Sequence, residues 1–114
     1  MSQHRKHRGY DSQRIVADYL AKTGWPYAES TGAGRSGTDV TGTPGIDWEV
    51  KARRGFNITA AMDQLADRGK EGVAAVAVIR PDGYGPARIE QWPALMTLKQ
   101  AVELLRQAGY GDPL

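Results

Sequence analysis

The run Val73-Ala74-Ala75-Val76-Ala77-Val78-Ile79 is apolar at every position, and Pro81-Asp82-Gly83 turns the chain out of it. A strand that is apolar on both faces has to be covered on both. The run therefore reads as the central strand of a sheet with helices packed on either side. With 114 residues there is material for one such core and not for two. A large substrate must then lie on the surface.

A second strand carries the chemistry. In an extended chain side chains alternate, so across 46–52 Ile46, Trp48, Val50 and Ala52 point one way and Asp47, Glu49 and Lys51 the other. Just upstream stand Gly37-Thr38-Asp39-Val40 and the turn Gly42-Thr43-Pro44-Gly45. A three-residue loop Thr43-Pro44-Gly45, with Gly45 left-handed, sets Asp39 directly opposite Glu49. A four-residue loop pairs Asp39 with Trp48 instead. In the first register Asp39 and Glu49, with the Val50 carbonyl, offer hard oxygen ligands to Mg²⁺ or Mn²⁺. Asp47 competes for the acidic role, but the cross-strand position favours Asp39. Lys51 lies on the same face as Glu49 and supplies a point charge for a water nucleophile or a phosphoryl transition state. If Glu49 and Lys51 were only a surface ion pair, Asp39 and Asp47 beside them would be unexplained repulsion.

The remaining elements follow from periodicity and caps. A helix is expected over 11–23, a short strand over 25–29, a glycine-rich loop over 31–38, and a second helix over 59–71. That helix would be capped by Thr59, turn Met62, Leu65 and Ala66 inward and stop at Gly72. A strand is expected over 87–92. The last helix has the capping-box pair Thr97 and Gln100, the inward stripe Leu98, Ala101, Val102, Leu105 and Ala108, and Gly109 to close it. The order is αβββαββα, an α/β fold with a mixed β-sheet flanked by helices. One domain spans 9–110, between a flexible basic arm, 1–8, and a loose tail, 111–114.

Composition narrows the chemistry. The absence of cysteine removes disulfides and thiolate sites. No apolar run has the length of a membrane span and no secretory leader is visible, so the expectation is a soluble, cytoplasmic protein without a membrane partner. The net charge of +2 is unevenly placed. Arg5, Lys6 and Arg8 form one cationic group, Arg53 and Arg54 a second beside the acidic strand, and all are candidates for phosphate contacts. Gly32-Ala33-Gly34-Arg35-Ser36-Gly37 has the G-x-G-x-x-G spacing but leads into a strand and turn, not a helix, and Thr38 stands where a P-loop has lysine. A loop beside a nuclease site, with Arg35 reaching a DNA strand, accounts for it better.

Taken together, Asp39, Glu49-Val50-Lys51, Gln64 on the following helix and the order of elements resemble the PD-(D/E)xK nucleases, within them the Holliday junction resolvase-like group. The resemblance covers about 9–110. It implies a restriction-endonuclease-like fold and a Mg²⁺- or Mn²⁺-dependent endonuclease of DNA recombination and repair, acting on branched DNA as a homodimer. In it Asp39 and Glu49 bind metal, Lys51 is catalytic, and Gln64 orients a water or a phosphate. Two positions depart from the pattern: Thr38 replaces a proline, and Gln13 stands near the place of a first-helix glutamate. Thr31 falls near a loop serine that resolvases use. A nuclease acting on flaps or single strands, and a nucleic-acid-binding module with weak catalysis, are the alternative readings.

Overall fold

In the computed structural model the chain runs α1 (Gln3–Thr23), β1 (Glu29–Ser30), β2 (Val40–Thr41), β3 (Ile46–Ala52), α2 (Ile58–Arg68) and β4 (Ala74–Arg80). A 3-10 helix (Pro86–Gln91), β5 (Ala94–Leu95) and α3 (Leu98–Gln107) complete it. The structure describes residues 3–32, 37–54, 56–70 and 72–113, with side chains from residue 9 onward. The result is an α/β fold with mixed strand directions. β3 lies parallel to β4, from Ile46 beside Ala74 to Ala52 beside Arg80. β5 joins the other edge of β4 antiparallel, so the apolar strand is central. Parallel neighbours need a long crossover, and α2 provides it.

The two faces of this sheet differ because β3 alternates. On one face Ile46, Trp48 and Val50 join Val76 and Val78, and α1 covers them with Val16, Ala17 and Leu20. On the other, Leu65 of α2 packs on Ala75, Ala77 and Ile79, with Phe56, Met62 and Leu95 at the edges. Asp47 and Glu49 sit beside Ala75 and Ala77 in the ladder, so this second face is part apolar and part charged. Trp92 is buried in the α1-side core, and Trp25 and Trp48 pack against it half-buried, as core and edge aromatics.

Several boundaries differ from the sequence reading. α1 begins at Gln3, not 11. The expected strand over 25–29 shrinks to Glu29–Ser30, because a tight turn from Ala28 N–H to the Trp25 carbonyl (2.9 Å) uses the preceding residues. α2 is capped by Asn57, whose Oδ1 accepts from Ala60 N–H at 3.0 Å, not by Thr59. It stops at Arg68, where Gly69 N–H closes on the Leu65 carbonyl at 2.8 Å, and Ala66 faces solvent. The strand expected over 87–92 is a 3-10 helix, since Pro86 at its start lacks an N–H and pre-sets a helical φ. The strand that pairs with β4 follows it, at β5.

The largest difference is at α3. Thr97 caps it as expected, its Oγ1 accepting from Gln100 N–H at 3.2 Å. The Gln100 side chain does not return to the cap. Its Oε1 accepts from Ala75 N–H at 3.0 Å and its Nε2 donates to the Ala75 carbonyl at 3.2 Å, so a polar residue seats α3 on the sheet. The stripe read as inward is turned out: Leu98 is 79% exposed, Val102 47% and Leu105 50%.

Candidate functional site

The turn that delivers Asp39 is tighter than either expected loop. The Thr43 carbonyl accepts from Ile46 N–H at 3.1 Å, with Pro44 and a left-handed Gly45 (φ +80°) at the corners, a type II arrangement. β2 then leaves β3 and pairs with β1, Ser30 opposite Val40. Gly42 permits that approach: its φ is +81°, and a Cβ there would collide with the Tyr27 carbonyl. The chain meets β3 again at Asp39, whose N–H donates to the Trp48 carbonyl at 2.8 Å, while Thr38 Oγ1 accepts from Trp48 N–H at 2.9 Å. Asp39 is thus not directly opposite Glu49, and the three-residue register is corrected. The Thr38 hydroxyl takes the place of a ladder carbonyl and shifts the pairing.

The shift gives Asp39 a specific position. Its Oδ2 accepts from Val50 N–H at 2.7 Å, so the carboxylate lies along the open edge of β3. A strand residue directs its N–H and C=O to the same edge, which puts the Val50 carbonyl on the Asp39 side. Thr31, weakly marked in the sequence, holds the same residue from behind, its N–H donating to the Asp39 carbonyl at 3.1 Å. Burial raises the Asp39 carboxyl above its ordinary range, and the charge of Glu49 adds to the rise. The Val50 amide and the charges of Arg68 and Lys51 oppose it.

Glu49 is enclosed, its side chain 13% exposed. Lys51 Nζ stands 2.9 Å from its Oε1 and Arg68 Nη1 2.6 Å from its Oε2. The same Nη1 is 3.3 Å from Asp47 Oδ1, which draws Asp47 into the cluster. Arg68 is the residue that sequence reasoning missed. Ala61, Leu65 and Arg68 are spaced i, i+4, i+7, so a charge on the buried stripe of α2 facing a charged strand was readable. Burial by itself would lower the Arg68 pKa, but Glu49, through charge and hydrogen bond, and then Asp47 and Asp39 outweigh it and raise it.

Gln64 is exposed on α2 and lines a hollow of about 110 Å³ with Lys51, Phe56, Asn57, Ala60 and Ala61. It comes to the lysine and not to the carboxylates. Arg53 and Arg54 are exposed just past the end of β3. Gln13 is half-buried on α1, and its Oε1 is buried without a hydrogen-bond partner among the described residues. Arg35 and the side chains of Arg5, Lys6 and Arg8 lie outside the described residues.

As a donor set, Asp39, Glu49 and the Val50 carbonyl are hard oxygens, and Asp39 Oδ1 makes no hydrogen bond among the described residues. That chemistry fits Mg²⁺ or Mn²⁺. Among the described residues no group of three or more carboxylates or imidazoles forms a metal cage, so a cation here would keep water or substrate oxygens as further ligands. No helix among the described residues is long and apolar enough to cross a membrane. Comparison with known proteins returns no match: no family model, no curated protein and no solved structure aligns significantly with the chain.

Proposed function

We propose that this chain is a metal-dependent endodeoxyribonuclease of the PD-(D/E)xK type, hydrolysing phosphodiester bonds at branched DNA such as a four-way junction. The observation that carries the reading is the Asp39 carboxylate, fixed on the β3 edge by the Val50 amide beside Glu49 and Lys51. Mg²⁺ or Mn²⁺ held by Asp39, Glu49 and the Val50 carbonyl supplies Lewis acidity to the attacking water and the phosphoryl group. Asp39, held by backbone on both sides, needs no reorganisation to serve as a ligand. Lys51 contributes a positive charge where negative charge accumulates on the phosphoryl oxygens. Gln64, in the same hollow, orients a water or a phosphate oxygen. Arg53 and Arg54 meet flanking phosphates, and each such contact lowers log affinity with log salt by roughly 0.9 on duplex DNA.

Symmetric cuts across a junction require two sites related by a two-fold axis, and a second copy docked through the outward stripe of α3 supplies it. A stable interface buries roughly 800 Å² per partner. Leu98, Val102, Leu105 and Tyr110 form the apolar part of such a surface.

The test is incubation of the full chain with a four-way junction and with linear duplex of the same sequence, in Mg²⁺, Mn²⁺ or EDTA. The junction is cut in metal and spared in EDTA. Asp39→Asn and Glu49→Gln lose cleavage together with metal affinity, whereas Lys51→Ala loses turnover and retains metal. Binding without cleavage by the wild type would support the second reading, a nucleic-acid-binding module. One observation favours that reading: both oxygens of Glu49 are already paired with cations.

A further inference from the structure

Arg68 is the last residue of α2, where the helix dipole favours a cation, and it reaches across the crossover to the carboxylates of β3. Lys51 holds Oε1 of Glu49 and Arg68 holds Oε2 on a side chain only 13% exposed, so a metal meets a resident cation at either oxygen. Arg68 has a second anchor, Asp47 Oδ1 at 3.3 Å, and can release Glu49 without leaving the cluster. Lys51 has no second carboxylate within ion-pair distance among the described residues. We infer that Arg68 is the resident counter-cation of the acidic cluster. A divalent cation binds only by displacing it from Glu49, and the freed guanidinium then takes a substrate phosphate.

Charge supports both halves of the exchange. Asp39, Asp47 and Glu49 carry three negative charges against two positive ones on Lys51 and Arg68, leaving the cluster at −1. A divalent cation brings it to +1, which one phosphodiester neutralises. An arginine fork suits a phosphate as well as it suits a carboxylate, so the side chain changes partner without changing chemistry. Until metal arrives, the protein offsets all but one of these negative charges itself and covers Glu49. The displacement half applies to any hard divalent cation at this site, and the phosphate half rests on the nuclease reading.

The experiment measures Mn²⁺ binding to the full chain without DNA, by the electron paramagnetic resonance signal of free Mn²⁺, for wild type, Arg68→Gln and Arg68→Lys. Arg68→Gln should bind Mn²⁺ about tenfold more tightly, the scale of one charge removed from a partly screened site. Arg68→Lys keeps the charge, spares the fold should the glutamine variant lose it, and should bind with intermediate affinity. With Ca²⁺ in place of Mg²⁺, Arg68→Gln should also lose about one phosphate contact from the salt dependence of junction binding. Folded variants that bind Mn²⁺ no more tightly than wild type overturn the inference and leave the nuclease reading in place. Absence of Mn²⁺ binding in wild type and both variants, with no cleavage, overturns the nuclease reading and the inference together. Binding by the variants but not by wild type supports the displacement directly.

Discussion

α2 and α3 flank β4 from neighbouring positions and are seated by opposite means. α2 buries Ala61 and Leu65 on the sheet and carries a charge at the end of that same face. α3 is fixed by the polar fork of Gln100 on Ala75 and turns Leu98, Val102 and Leu105 to solvent. Between them lies a cleft of about 600 Å³, lined by Leu65, Lys70, Thr97, Lys99, Gln100 and Glu103. The same kind of apolar stripe is thus covered by the sheet in α2 and left exposed in α3.

Substitutions can break this contrast, beginning with the largest effect. Leu65→Ala should cost about 2–5 kcal/mol in chemical denaturation, as a fully buried leucine does, while Leu105→Ala should stay within about 0.5 kcal/mol at concentrations where the chain is monomeric. Equal costs would mean that α3 is packed on its own domain. Gln100→Leu should cost about 1–3 kcal/mol, because it leaves the N–H and C=O of Ala75 unpaired under the helix. A stability gain would show that α3 rests on apolar contact after all.

The charged end of α2 has a pH signature. The Asp39 pKa is raised above its ordinary 3.8, so the folded state holds this proton more tightly than the unfolded one. Its contribution to stability is full below the unfolded value and is lost as pH rises through the folded value. Asp39→Asn keeps an acceptor for Val50 N–H and removes the ionisation. In EDTA its melting temperature should therefore exceed that of wild type near neutrality, with the gap closing as pH falls through the raised folded value and gone below about 4. A gap that is constant with pH would place the Asp39 carboxyl in water. Asp39→Ala is the poorer probe, since it leaves the Val50 amide without its acceptor. The smallest effect on the fold is expected from Leu98→Lys with Val102→Lys. Stability should change by less than about 0.5 kcal/mol per site, while sedimentation should show any self-association abolished.

Much was legible from local pattern. The all-apolar run forms the central strand, the alternation in β3 sends Asp47 and Glu49 to one face and Trp48 and Val50 to the other, and Thr97 caps α3. Position within a strand and capping depend on neighbours in sequence, and these are written in the chain. Arg68 was missed because its partners, Asp47 and Glu49, lie far back along the chain and only the crossover brings them together. Asp39 was placed on the correct strand edge but in the wrong register, because a threonine hydroxyl replaced a backbone acceptor.

The sequence by itself determined the central apolar strand, the alternation of β3 with its charged face, and the existence of the three α-helices, because alternation and helical period are properties of consecutive residues. Only the tertiary structure decided that Asp39 lies along the edge of β3, that Arg68 covers Glu49, and that the apolar side of α3 points away from the core. Each of those depends on a hydrogen bond or ion pair between segments distant in the chain: Val50 to Asp39, Arg68 to Glu49, and Gln100 to Ala75. A local pattern can put Arg68 on the inner stripe of α2, but it does not choose the partner, since the energy of such a contact exists only once the fold has brought the two groups within reach.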